Sequence, residues 1–107
     1  MDMKKDIQFS LEFVQRLIER DVLSVFDGDL DKARKIIEQK MRHESVIIDN
    51  PNSKYPNQSW CIINIDKVCL AKIPIAETPR FIKAITIATP VTNRMCIDAY
   101  NSVYKKP

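Results

Sequence analysis

Glycine is nearly missing from this sequence: Gly28 stands alone among 107 residues. A chain so poor in glycine cannot build a glycine-rich phosphate loop. It is equally unsuited to an enzyme scaffold resting on several tight, strained turns. Cysteine is sparse and odd in number (Cys61, Cys69 and Cys96), so no disulfide framework is legible. No charged leader followed by an apolar run opens the chain, and no window approaches the roughly 18 apolar residues of a membrane span. These absences lead to the expectation of a reducing cytoplasm with free thiols. Asn57-Gln58-Ser59 matches a glycosylation sequon and is read as incidental in such a setting.

What is present fits one domain over residues 1–107. Hydrophobic residues make up 45% and charged residues 29%, inside the globular range. The net charge of +3 is unevenly spread. Residues 1–44 balance nine Lys/Arg against ten Asp/Glu, whereas residues 45–107 hold eight against four. The second half is therefore mildly basic, which is compatible with a polyanionic partner.

Along the chain, Met1–Ile7 reads as a charged lead-in or a short edge strand. Ser10 is a helix cap with Glu12 in the first turn. Leu11, Val14 and Ile18 form one stripe of that helix, with Phe13 and Leu17 beside it. The pattern blurs through Val22–Phe26 and breaks at Gly28. A second helix follows a cap at Asp29 or Asp31, its apolar face made by Leu30, Ala33, Ile36, Ile37 and Met41. Val46–Ile48 suits a brief strand, and Asn50–Asn57, with Pro51 and Pro56, a mobile loop. Trp60–Ile65 and Val68–Ile75 form a hairpin around Asp66-Lys67, with Pro74 placing the second strand at an edge. Arg80–Thr89 is a third strand. Thr89-Pro90 starts a last helix whose inner face is Met95, Cys96, Ala99 and Val103, ending at Lys105 and Lys106. The expected fold is α+β, in the order α-α-β-β-β-α, with a mainly antiparallel sheet and helices packed on one face.

Several constellations bear on chemistry. Asp27, Asp29 and Asp31 with Glu38 match acidic positions of a calcium loop, but Lys32 occupies the position that needs glycine. A capped, acidic helix start explains the run without a metal. The cysteines and His43 lack any Cys-x2-Cys knuckle, so no metal site and no cofactor are assigned. His43, the single histidine, has no identifiable partner as a general base. A basic and aromatic set remains: Lys72, Arg80, Lys83, Arg94, Tyr100 and Tyr104, with Lys105 and Lys106. Tyr100 and Tyr104 are one helical turn apart. Arg or Lys with Tyr is the chemistry of phosphate contact and base stacking, so the first six are the candidate nucleic-acid-binding residues.

The run Phe9-Ser10-Leu11-Glu12-Phe13-Val14-Gln15-Arg16-Leu17-Ile18-Glu19-Arg20-Asp21-Val22 resembles the opening helix of the RelE/BrnT-like toxin superfamily of small microbial and phage proteins. The shared pattern is Arg16-Leu17-x-x-Arg20, followed by a second helix and an antiparallel sheet with strands like Trp60–Ile65 and Lys83–Thr89. The resemblance implies a microbial RNase fold acting on RNA, with Arg80, Lys83, Arg94 and Tyr100 as positional candidates. The histidine often found in that first helix is replaced here by Phe13. The family also includes inactive, purely interacting members, and fold analogy is not function.

The first expectation is therefore a non-catalytic binding or regulatory protein of microbial or phage type. It would act through a protein partner, a homodimer, or RNA or DNA. Val22, Val25 and Phe26, with the strand Val68–Ile75, are the expected partner-binding elements. The alternative is a RelE-like ribonuclease toxin or a degenerate relative.

Overall fold

A computed structural model describes residues 3–52, 54, 57–66 and 69–105. The order is β1 (Asp6–Phe9), α1 (Leu11–Glu19), a 3-10 helix (Val22–Phe26), α2 (Leu30–His43), β2 (Ser45–Asp49), β3 (Gln58–Asp66), β4 (Cys69–Glu77), β5 (Phe81–Ala84) and α3 (Arg94–Tyr104). The chain is α+β, with one five-stranded mixed sheet ordered β1-β5-β4-β3-β2. β1 runs parallel to β5, and the other pairs are antiparallel. The expected order is recovered with two short strands added, β1 before the helices and β2 after them. No helix among the described residues is long and apolar enough to cross a membrane.

Local chemistry sets the helix boundaries. Ser10 accepts from the Phe13 N–H and Asp29 from the Lys32 N–H, so each supplies an orphan amide of the first turn with an acceptor. Asp21 and Asp27 take left-handed backbone conformations on either side of the 3-10 helix, and Gly28 takes another. With one glycine to spend, the chain uses aspartate, which tolerates that region better than most side chains. The acidic run is a cap: Asp29 holds the helix start, Asp27 pairs with Lys32 at 2.6 Å and Asp31 with Arg34 at 3.0 Å.

The period of two sorts the sheet into two faces. Ile7, Cys61, Ile63, Ile65, Ala71, Ile73, Ile75, Ile82 and Ala84 form the inner face. Phe13, Leu17, Val22, Phe26, Ala33, Ile37 and Met41 cover it from the helices. Each fully buried Ile or Leu contributes about 1.5–3 kcal/mol of transfer free energy. In α1 the buried stripe is Phe13 and Leu17, while Leu11 and Ile18, expected on the core stripe, are exposed.

The helices do not all share one face. α3 packs on the opposite side, where Cys96 and Tyr100 join Ile62, with Val46, Ile48, Trp60, Leu70 and Val91 around them. The cause is chemical: Trp60, Ile62 and Leu70 make the outer face of β3 and β4 apolar, so it also needs cover. Met95 and Val103, expected inside, are exposed; the inward pair is Cys96 and Tyr100, one turn apart.

Three further expectations are corrected. Pro74 lies in β4, the central strand, and not at an edge. Its carbonyl accepts from the Ile85 N–H, so its missing amide faces the β5 side. There the pairing shifts by one residue between Ile75–Ala84 and the isolated bridge Lys72–Ala88. That bulge removes the need for a donor at Pro74. Arg80–Thr89 is for the same reason not one continuous strand: β5 ends at Ala84 and rejoins only at Ala88. Thr89-Pro90 is a cis peptide in the linker, and α3 starts at Arg94 with Asn93 as its cap. Lys67, Val68 and Lys106, and Ser53, Tyr55 and Pro56 of the expected loop, lie outside the described residues.

Candidate binding surface

α3 crosses only part of the outer face. Its approach begins at β4, where the Val91 N–H donates to the Leu70 carbonyl. It ends over β2, where the Tyr104 hydroxyl donates to the Ser45 carbonyl at 3.0 Å. Among the described residues, the cluster under α3 stops at Trp60 and Leu70, and Lys83 and Gln8 further along that face are exposed. Register places Trp60 beside Pro74, then Ala76 beside Lys83, and Lys83 beside Gln8. The floor is thus partly apolar, with a cation at each end.

Lys72 stands at one end, its ammonium 4.1 Å from the centroid of the half-buried Trp60 ring. It also borders a cleft of about 130 Å³ formed with Ala88, Pro90, Val91, Thr92 and Asn93. Lys83 is exposed at the other end. It faces outward because Ile82 and Ala84, its neighbours in β5, fill the core. Four residue steps along β4 lead from Lys72 to Ala76, the register partner of Lys83, a span of about 13 Å.

The remaining candidates scatter. Arg80 is exposed in the turn between β4 and β5, where its N–H donates to the Thr78 hydroxyl at 3.3 Å. Arg94 is exposed at the start of α3 and pairs with Asp98 at 3.2 Å. Tyr100 is buried, with its ring centroid 4.6 Å from that of Tyr104. Burial pushes its phenol up, helped by Tyr104 and Glu44. Only Lys72 and Lys83 of the six thus frame one surface.

The partner-binding candidates divide as well. Val22 and Phe26 are core residues, whereas Val25 is exposed. The blurred period that singled them out belongs to a short 3-10 helix, whose buried residues Val22 and Phe26 are four apart while Val25 points outward. β4 is not an edge strand; the edges are β1 and β2.

Trp60 was not singled out from the sequence. Its signal is parity: it alternates with Cys61 and Ile63, which are buried inward, so it faces the side of Ile62 and Lys72. Thiol chemistry at the centre of the sheet is quiet, since burial pushes the Cys61 thiol up to about 12. Among the described residues no cluster of three His, Cys, Asp or Glu side chains is placed to hold a metal ion. The chain matches no family model, no curated protein and no solved structure.

Proposed function

We propose that the protein is a non-catalytic binding domain that holds single-stranded nucleic acid, RNA in the first instance, across the outer sheet face beside α3. The observation that carries this reading is the Lys72 ammonium resting on the Trp60 ring at the border of that floor. Phosphates would draw Lys72 and Lys83 into contact, and a base would stack on the indole as the ammonium moves aside. Pro74 and Ala76 present no bulky side chain between the two cations, so an extended strand can lie flat.

Trp60 is the chain's one tryptophan, so its emission reports directly on this surface. Titration with a short oligouridine at two salt concentrations should quench it, more weakly at the higher salt. Two phosphate contacts predict a log–log salt slope of about −1.4. Unchanged emission at low salt would remove the reading. A cleaved strand on a denaturing gel of the same samples would favour the RelE-like ribonuclease instead.

A protein partner is the second reading, favoured by Leu11 and Ile18. These are 74% and 60% exposed and lie two turns apart on the outer stripe of α1.

A further inference from the structure

We propose that α3 is a hinged cover that opens as a unit while the inner core stays folded, turning at Thr92 and Asn93 and releasing at Tyr104. The proposal is independent of the nucleic-acid reading and rests on how α3 is built and held.

The helix is weak in its own right. It has 11 residues, a length at which an isolated helix is marginal in water. Its last five, Tyr-Asn-Ser-Val-Tyr, all come from the weaker half of the helix-propensity scale. Arg94 places a cation in the first turn, where the helix dipole favours an anion, and no acid accompanies it there. Asp98 pairs with Arg94 at 3.2 Å, but in the less favourable of the two i,i+4 orders and in solvent.

Packing therefore has to hold α3, and that packing is thin. Its buried residues are Cys96 and Tyr100, which meet Ile62 in a cluster of their own. The sheet separates that cluster from the core formed with α1 and α2. Asn93 accepts from the Met95 N–H and Ser102 donates to the Ala99 carbonyl, bonds internal to the helix. The tie to the sheet is at the far end, where the Tyr104 hydroxyl donates to the Ser45 carbonyl in an exposed position open to competition from water. The Asn101 Oδ1 atom is buried without a hydrogen-bond partner among the described residues. Closure strips its water without a replacement bond, so opening recovers its hydration.

The preceding linker sets the hinge. The Lys72 and Ala88 backbones exchange hydrogen bonds and the Val91 N–H donates to the Leu70 carbonyl, so the chain is fastened to β4 as far as Val91. Thr92 and Asn93 follow, both exposed. Rotation there lifts Cys96 and Tyr100 off Ile62 and its neighbours Val46, Ile48 and Trp60. Register puts Ile48 beside Trp60 and Trp60 beside Pro74, so the uncovered face runs into the floor beside Lys72. Few buried apolar contacts and exposed hydrogen bonds are the marks of a segment that opens below the cost of global unfolding.

Pulsed alkylation of the full chain with iodoacetamide, read thiol by thiol by peptide mass spectrometry, tests this. Cys96 and Cys61 are both fully buried, Cys96 under α3 and Cys61 on the inner face, so each reacts only through an opening. Cys96 is expected to react at least about tenfold faster than Cys61, with a rate nearly flat in low urea where that of Cys61 climbs. Ile82→Val loosens the inner core away from α3 and should speed Cys61 by about 2- to 10-fold while leaving Cys96 unchanged. Equal rates and urea slopes at the two thiols, or one common factor for both in Ile82→Val, would mean that α3 leaves only with the whole fold, and would overturn the proposal. A Cys96 that reacts more slowly than Cys61 equally overturns it.

Discussion

The Lys72 ammonium lies 4.1 Å from the centre of the Trp60 ring, across two adjacent strands of the outer sheet face. A cation over an indole gains electrostatic attraction without the desolvation cost of a buried ion pair. Replacing it by Lys72→Met keeps the stem and removes the charge. Urea unfolding should show a loss of about 0.5–1 kcal/mol. The salt slope of oligouridine binding should flatten by about 0.7, the contribution of one phosphate contact to a single strand.

The inner and outer stripes of α1 should separate cleanly in stability measurements. Phe13→Ala empties a fully buried site against the sheet and should cost about 3–5 kcal/mol. Leu11→Ala, on the exposed stripe, should stay within about 0.5 kcal/mol. Chemical denaturation of both variants checks the assignment of faces.

Ser10 joins two segments of the chain. Its hydroxyl accepts from the Phe13 N–H at 3.0 Å and donates to the Ile85 carbonyl. Ser10→Ala removes both bonds and should destabilise by about 1–2 kcal/mol, the upper part of the range for a lost cap. Ser10→Asp should restore the cap but not the bond to Ile85, so thermal melts should place it between the two.

Alkaline pH should unfold the protein through Cys61. Its thiol ionises near 9.0 when solvated and at about 12 in the fold, because burial opposes the thiolate. Below pH 9 neither state ionises it and stability is unaffected. Above pH 9 the unfolded chain alone releases the proton, so stability falls until about pH 12. Cys61→Ala should flatten this limb of the pH profile, although it leaves a cavity. Cys96 and Tyr100, both raised by burial, act in the same direction.

The sequence was most legible where one residue carries one job. Ser10 caps α1 as expected, Asp29 is the one of its two candidates, Asp29 and Asp31, that caps α2, and Cys61, Ile63 and Ile65 share one face of their strand. It was least legible where a residue's meaning depends on neighbours far along the chain. Pro74 looks like an edge residue until the bulge after Ala84 is known. Tyr100 looks like a stacking residue until α3 is seen to cover β2 and β3. Leu11 and Ile18 satisfy the helical period as well as Phe13 and Leu17 do, and only the sheet decides between the stripes. At the binding surface, Lys72 and Lys83 were named without Trp60, because parity across two strands links them and spacing within one does not.

The parallel pairing of β1 with β5 also orders events during synthesis. β1 emerges some 75 residues ahead of its hydrogen-bonding neighbour, the separation of Ser10 and Ile85. Closing so long a loop has an entropic cost that the hairpins of β2, β3 and β4 avoid. A nascent chain on the ribosome therefore carries β1 without β5 beside it until the segment between them has left the exit tunnel.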